Sequence, residues 1–329
     1  MTTTTHTGPG AAPPAAPGPA TAPRRRRASA LTRQETRWAY VFLAPWIVGF
    51  LAFSAGPMIA SAWLSLTDYD VVNAPRFTGL DNYRRLVADP MVLRSLGNTV
   101  YFALLHVPLV MAVSLGLAML LTRVRRLRGF FRTVFYLPVM TPAVAVGVLF
   151  LLLLNTQDGL VNRALGLVGL DGPSWTTDPD WMMPGIVLMS LWSLGSTVVI
   201  YLAALQNVPP ELYEAATVDG ASAWQRFRRV TLPMISGALF FTMIVNTISA
   251  LQMFTEVYTM YFGNRQTQNS FSADAATFYV IYLFQQAFQF LHMGYASALA
   301  WLLFLVVMAV TVVQLKLGNR FVYYEGEQR

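Results

Sequence analysis

The chain has 329 residues, of which 55% are hydrophobic and only 12% charged, with a mean hydropathy of +0.47. A soluble domain carries about a quarter charged residues, so half that share points to a solvent other than water. Cysteine is absent, which excludes disulfides, thiolate metal sites and cysteine nucleophiles; the net charge of +7 is carried by arginine, with Lys316 the sole lysine.

Residues 1–37 form a compositional unit: Thr2 to Thr5, an Ala/Pro/Gly run from Gly8 to Pro23, and the cluster Arg24 to Arg27. Such a stretch cannot bury an apolar face and is expected to be disordered. The arginines read as charge that keeps the tail inside, within reach of anionic lipid; a nucleic-acid partner is not expected. Six long windows without charge follow: Trp38–Thr67, Ser95–Thr122, Thr133–Gln157, Trp181–Pro210, Val230–Thr255 and Ala275–Leu315. About 20 apolar residues rising 1.5 Å each cross a hydrocarbon layer of ~30 Å, so each window can hold a span. The first far exceeds the apolar core of a signal peptide and is expected to stay in the protein.

The expected spans are about 39–66, 96–121, 133–155, 182–206, 233–255 and 294–315. The last window is long enough for two, but Gln285, Gln286, Gln289 and His292 among Phe284, Phe288 and Phe290 suit an interfacial or protein-buried helix better than a lipid-facing one. With six spans, 17 of the 23 Lys and Arg fall on the side of the two tails. Both termini, including the C-tail 321–329, are therefore expected in the cytoplasm of a multi-pass cell-membrane protein.

No Asp, Glu, Lys or Arg lies inside these spans, and His106 is the only ionisable group well within one. Ion-coupled carriers place carboxylates or histidine relays there; His106 reads as a packing histidine hydrogen-bonded across a helix interface, the other reading being a proton relay. No phosphate-binding G-x-x-x-x-G-K-[ST] exists, and His6, His106 and His292 make no metal cluster. The chain is expected to hold no cofactor and to be no enzyme, so uphill transport needs another chain to supply energy.

The loop between the fourth and fifth spans is the informative one. Pro210 suits a first helical position, and Glu211 and Glu214 suit the positive end of the helix dipole. Leu212, Ala215 and Ala216 share a face, and Gly220 is a natural stop. Ser222 with Gln225 fits a capping box for a second helix, which carries Trp224 and Phe227 opposite Arg226, Arg228 and Arg229. Pro233 opens the fifth span. The pattern predicts a helix–Gly–helix knuckle with a small, alanine-lined face, free for a partner surface or packed on its own bundle.

Glu214-Ala215-Ala216, Asp219-Gly220-Ala221 and Leu232-Pro233 resemble the EAA loop of binding-protein-dependent ABC importer permeases. Phe135-Tyr136-Leu137-Pro138, Gly56-Pro57, Ser65-Leu66-Thr67, Phe77-x-Gly79-Leu80-x-Asn82-Tyr83 and Gly294-Tyr295-Ala296-Ser297-Ala298 resemble the carbohydrate-uptake branch, of the maltose-transporter first-permease type, over about residues 38–320. One segment departs: where the family carries T-x-G-G-P, Thr259 is followed by Met260-Tyr261-Phe262-Gly263-Asn264-Arg265 and the polar stretch Gln266 to Ser272.

The resemblance implies an all-α polytopic membrane protein with the type I ABC importer permease fold, the permease domain covering 38–320 and the coupling loop 209–232. It implies a second permease subunit, two cytoplasmic ATPase subunits that bind ATP and Mg, an extracytoplasmic solute-binding protein and a sugar substrate. Glu214, Ala215, Ala216 and Gly220 would couple to the ATPase, supported by Asp219, Trp224 and Phe227. On the fifth span Thr242, Asn246, Ser249, Met253 and Glu256 recur at helical spacing; Asn246, Ser249 and Met253 are sugar-path candidates, the alternative being helix packing. Ser190, Ser193 and Thr197 are read as packing residues, and Trp175, Trp181 and Tyr258 as interface-belt aromatics. A polyol or glycerol phosphate is the alternative cargo, and a secondary carrier or channel the alternative class.

Overall fold

The computed structural model describes residues 30–124, 128–263 and 273–318. The Arg24–Arg27 cluster, the stretch Gln266–Ser272 and the tail 321–329 lie outside the described residues. The chain divides into two compact units, residues 1–58 and 59–329. In the first, helix α1 (Ala30–Phe50) begins inside the stretch expected to be disordered, where the helix formers Arg33, Gln34, Glu35 and Arg37 lead into the apolar segment from Trp38. Its rings pair at i, i+4, Trp38 with Phe42 and Trp46 with Phe50, and a π-helical turn, Leu51–Ala55, follows.

Four helices are long and apolar enough to cross a membrane: Thr36–Leu64, Pro90–Arg123, Ser236–Tyr261 and Met293–Gly318. Two bent pairs, Gly129–Met140 with Ala143–Leu153 and Pro179–Ser193 with Gly195–Gln206, bring the number to six if each is one span. The segment from Ala275 to His292 adds no further span among the described residues.

Helix α2 (Gly56–Leu64) leads to a hairpin of two-residue strands, β1 (Thr67–Asp68) against β2 (Arg76–Phe77), a small departure from an all-helical expectation. The turn between them is tied by Asp70, whose carboxylate accepts from the backbone N–H of Asn73 at 2.8 Å and of Val72 at 3.2 Å, and from the Asn73 amide at 2.7 Å. After α3 (Asp81–Ala88), the long helix α4 (Pro90–Arg123) is the spine of the fold. It packs against α9 (Gly195–Gln206), α13 (Ser236–Leu251) and α16 (Tyr279–Phe284). Short helices α7 (Leu160–Leu167) and α15 (Ala273–Ala276) lie in the connections, and the last helix, α17 (Met293–Gly318), packs on α13 and α16.

Three of the expected spans are interrupted. The third is not one helix over 133–155: α5 (Arg128–Tyr136) and the 3-10 turn Leu137–Met140 meet α6 (Ala143–Leu153) at 98°. Pro142 drives Thr141 into an extended conformation, ψ 128°, and Pro138 offers no N–H to a continuing ladder. The fourth bends by 52° where α8 (Pro179–Ser190) passes through a 3-10 turn, Leu191–Ser193, into α9. Gly195 sits there against the Phe135 carbonyl, with which any Cβ would collide. The fifth begins at Ser236 rather than Pro233, is broken over Gln252–Phe254 and resumes as α14 (Thr255–Tyr261), so Glu256 falls within its length.

With so few ions available, neutral hydroxyls cross-link the helices. Tyr201 and Thr242 share a hydrogen bond at 2.6 Å between α9 and α13, and the Gln314 amide donates to Thr247 at 2.9 Å between α17 and α13. The Tyr261 hydroxyl donates to the carbonyls of Trp175 and Met182. Trp175, expected in an interface belt, is buried and donates its indole N–H to Asn162 at 2.7 Å. Interhelical hydrogen bonds of this kind suit a medium in which apolar contact alone does not hold helices together.

One carboxylate joins three helices. Asp89 caps α4 by accepting from the Met91 N–H at 2.9 Å, and also accepts from the hydroxyls of Tyr282 and, at 2.7 Å, Tyr295. Arg85 lies 4.2 Å above the Tyr295 ring. Partial burial raises the Asp89 pKa, but the two phenols, the cap and Arg85 together outweigh it and bring the carboxyl below its ordinary value. A depressed carboxyl stabilises the fold above its unfolded pKa of 3.8 and loses that contribution as pH falls through the lower folded value. Asp89→Ala should therefore lower stability by about 1–3 kcal/mol at neutral pH. It should also flatten the acid limb of the unfolding curve, both read by thermal melts of the purified protein in detergent.

Candidate functional site

The predicted knuckle forms. Helix α10 (Pro210–Val218) has Pro210 at its first position and Glu211 in its first turn, and none of its side chains is buried. It ends in a full Schellman arrangement: Ala221 N–H donates to the Ala216 carbonyl at 2.9 Å and Gly220 N–H to Thr217 at 3.0 Å. Gly220 takes φ +74°, the left-handed region that side chains resist. The capping box of α11 (Ala223–Arg226) is reciprocal, with Ser222 N–H on the Gln225 amide oxygen at 2.7 Å and Gln225 N–H on the Ser222 hydroxyl at 3.3 Å.

Two braces that spacing does not reveal make the knuckle a unit. Arg226 donates to the Thr217 hydroxyl at 2.9 Å, joining α11 to α10. Tyr213 shares a 3.0 Å hydrogen bond with Thr231, in the π-helical turn Phe227–Thr231 that leads through α12 (Leu232–Met234) to the fifth span. Of the predicted coupling residues, Glu214, Ala215, Asp219, Gly220 and Trp224 are exposed, while Ala216 and Phe227 are half-buried. Trp224 and Phe227 stack with centroids 5.4 Å apart. Ala216, Asp219 and Gly220 border a concavity of about 260 Å³, closed on its other side by Gln225, Arg226 and Arg229.

The second feature is a cavity of about 380 Å³ in the helical bundle. All three helix breaks open onto it. Ala143 stands just after the 98° bend, Ser190 and Ser193 stand at the 52° bend, and Gln252, Met253, Phe254 and Thr255 come from the break in the fifth span. Phe102 and His106 of α4 form the wall, their rings stacked at 4.9 Å.

The polar groups here are arranged around His106. The Ser190 hydroxyl donates to the Val187 carbonyl at 2.6 Å, so its oxygen accepts from His106 Nδ1–H at 2.7 Å. With the proton on Nδ1, the Nε2 of an uncharged ring is an acceptor. Glu256, in the first turn of α14, has no hydrogen-bond or ionic partner among the described residues. No lysine or arginine lines the cavity.

Two of the three predicted pathway residues, Ser249 and Met253, line this cavity. Asn246 does not; its amide turns back to the Thr242 carbonyl at 2.8 Å. Ser190 and Ser193, read as packing residues, are at the cavity, whereas Thr197 is buried. Gln252 and Thr255 escaped the sequence reading because they lie beside the helical stripe of Thr242, Asn246, Ser249, Met253 and Glu256, not on it. Pro138 and Pro142 were the visible signal for one break; the break at Gln252 has no such residue.

The architecture is thus a bundle of interrupted apolar helices with an exposed knuckle between two of them. Residues 111–322 match the family of binding-protein-dependent transport system inner membrane components, and the chain belongs to it. It is 36% identical over 299 residues to the probable ABC transporter permease protein YesP of Bacillus subtilis (strain 168), covering 90% of this chain and 95% of YesP. It is 34% identical over 291 residues to the lactose transport system permease protein LacF of Rhizobium radiobacter, covering 87% and 95%. A crystal structure of a bacterial alginate ABC transporter in complex with alginate pentasaccharide-bound periplasmic protein contains a chain of the same fold. That chain has a TM-score of 0.75 at 25% identity, over 87% of this chain and 96% of that one.

Because Gly220 carries the positive φ at the corner of the knuckle, Gly220→Ala should cost about 1–2 kcal/mol locally. Amides between Ala216 and Gln225 should then exchange hydrogen about 5- to 30-fold faster, read by mass spectrometry, with the spans unaffected.

Proposed function

We propose that this chain is one permease subunit of an ATP-driven, binding-protein-dependent sugar importer. It forms half of the translocation pathway beside a second permease and receives the stroke of two cytoplasmic ATPase subunits through α10. The observation that supports this most is the knuckle: a short helix with no buried side chain, braced at both ends, continuous with the fifth span. A surface so rigid and so uncovered suits seating in a partner's cleft, and the chain has no phosphate-binding loop of its own. Glu214, Ala215, Ala216 and Gly220 make the contact, with Asp219, Trp224 and Phe227 supporting it; ATP and Mg belong to the partner. Both termini and the knuckle lie on the cytoplasmic side, and a solute-binding protein delivers the cargo on the other.

The sugar reading rests on the cavity and on what its relatives carry. Hydroxyls of Ser190, Ser193, Ser249 and Thr255, the Gln252 amide, the acceptor Nε2 of His106 and the Glu256 carboxylate offer many hydrogen bonds without a fixed cation. Phe102 and Phe254 supply apolar faces. That set suits a polyhydroxylated, uncharged ligand. A glycerol phosphate would meet the Glu256 carboxylate with no basic side chain to offset the repulsion.

Gly220→Pro or Ala216→Trp should abolish uptake and pull-down of the ATPase subunits while leaving membrane insertion intact; normal pull-down would defeat the assignment. Glu256→Ala, which removes a charged acceptor worth about 1.5–3 kcal/mol, should cut sugar uptake at subsaturating concentration by about tenfold or more in proteoliposomes holding the whole transporter. Unchanged uptake would remove Glu256 from the path.

A further inference from the structure

The cavity does not end at Phe254. Its ring centroid lies 5.1 Å from that of Tyr258 and 5.0 Å from that of Phe284, and Phe284 lies 5.1 Å from Phe288. Tyr258 and Phe284 also meet, edge-on at 5.2 Å and 67°, so these three rings close into a cluster from which Phe288, tilted by 37° against Phe284, projects. Exposure increases toward Phe288: Phe254 and Phe284 are half-buried, and Phe288 is 61% exposed. Phe254 and Tyr258 rest against the buried core, and the row opens at its Phe288 end.

The row is flanked by primary amides. Gln285 and Gln289 are the first and last residues of a π-helical turn, Gln285–Gln289, and Gln289 donates to the Tyr258 hydroxyl at 3.3 Å. The extra residue of a π turn re-aims side chains and recurs at functional sites. Gln289 and His292 are exposed and Gln285 is half-buried. Amides facing hydrocarbon would be left without partners at a cost of several kcal/mol, so this segment suits a water-lined passage and not a lipid-facing surface.

Aromatic faces beside amides match the two sides of a sugar ring, one presenting C–H groups and the other hydroxyls. The cavity alone, at about 380 Å³, is at the low end for small-molecule pockets, about 300–1,000 Å³. A cargo of several rings has to continue past it. We infer that Phe254, Tyr258, Phe284 and Phe288, with Gln285 and Gln289, form an extended subsite on which successive rings of a neutral oligosaccharide stack as they enter the cavity. The inference rests on the sugar reading of that cavity.

The absence of cysteine from this chain permits a direct test in the complete transporter. Ser249→Cys and Met253→Cys report on the cavity; Phe288→Cys and Gln289→Cys report on the row. Each is labelled in membranes with a water-soluble, membrane-impermeant methanethiosulfonate. Labelling is repeated with short neutral gluco- and arabino-oligosaccharides, and with glucose and arabinose. The thiols at 288 and 289 should react, and the oligosaccharides should slow them about fivefold while the monosaccharides do not; both sugar sizes should protect 249 and 253. Should the Phe288 variant fail to insert, Gln289→Cys carries the test, since its side chain is exposed. Reaction at these positions with a lipid-soluble maleimide alone would show a lipid-facing row and overturn the inference. So would protection at 249 and 253 without any at 288 and 289. Failure of every sugar to protect 249 or 253 would instead overturn the sugar reading of the cavity, and the row with it.

Discussion

A hydrocarbon layer cannot hydrogen-bond a peptide group, so a spanning helix can be interrupted only where protein or water serves the freed N–H and C=O groups. This constraint organises the molecule. Three of its spans are broken, and all three breaks border one cavity, together with the Phe102 and His106 wall of α4. Scattered at random over the bundle surface, such breaks would be destabilising. Gathered around a polar space, they supply it with backbone and short polar side chains that regular helices would have kept inside their ladders. Discontinuous helices framing a site are a recurrent solution among membrane transporters.

The same constraint explains how the bundle holds together. With almost no intramembrane charge, the contacts that join distant helices are hydroxyl and amide bonds, such as Tyr201 to Thr242 and Gln314 to Thr247. Small residues allow the closest approaches, Gly195 on the Phe135 carbonyl being the tightest at a bend. Asp89, at the start of α4, accepts from one backbone N–H and two phenols, with the Arg85 charge close by.

Cavity and knuckle are connected through one element. The fifth span carries the break that lines the cavity at one end and is continuous with the braced knuckle at the other, through the π turn Phe227–Thr231 and the kink at Ile235. A displacement applied to α10 therefore has a covalent route to Gln252–Glu256. Irregular turns along that route give it places to bend where an unbroken helix would only translate.

What the amino-acid order alone determined were the features set by local chemistry: the apolar windows, the Pro210 start, the Gly220 stop and the Ser222–Gln225 box all depend on neighbours within a few residues. The EAA resemblance followed for the same reason, because that segment is a compact string. Tertiary structure decided the rest. Whether Ser190 packs or lines a cavity, whether Trp175 lies in a belt or in the core, and where the fifth span breaks depend on helices far apart in sequence. The 98° turn at Thr141 was latent in Pro138 and Pro142, but prolines are tolerated within membrane helices, so only the packed bundle settles whether they kink or end one. Glu256 shows the difference most plainly: one residue beyond a charge-free window in the sequence, it becomes a cavity carboxylate once α14 folds back into line with α13.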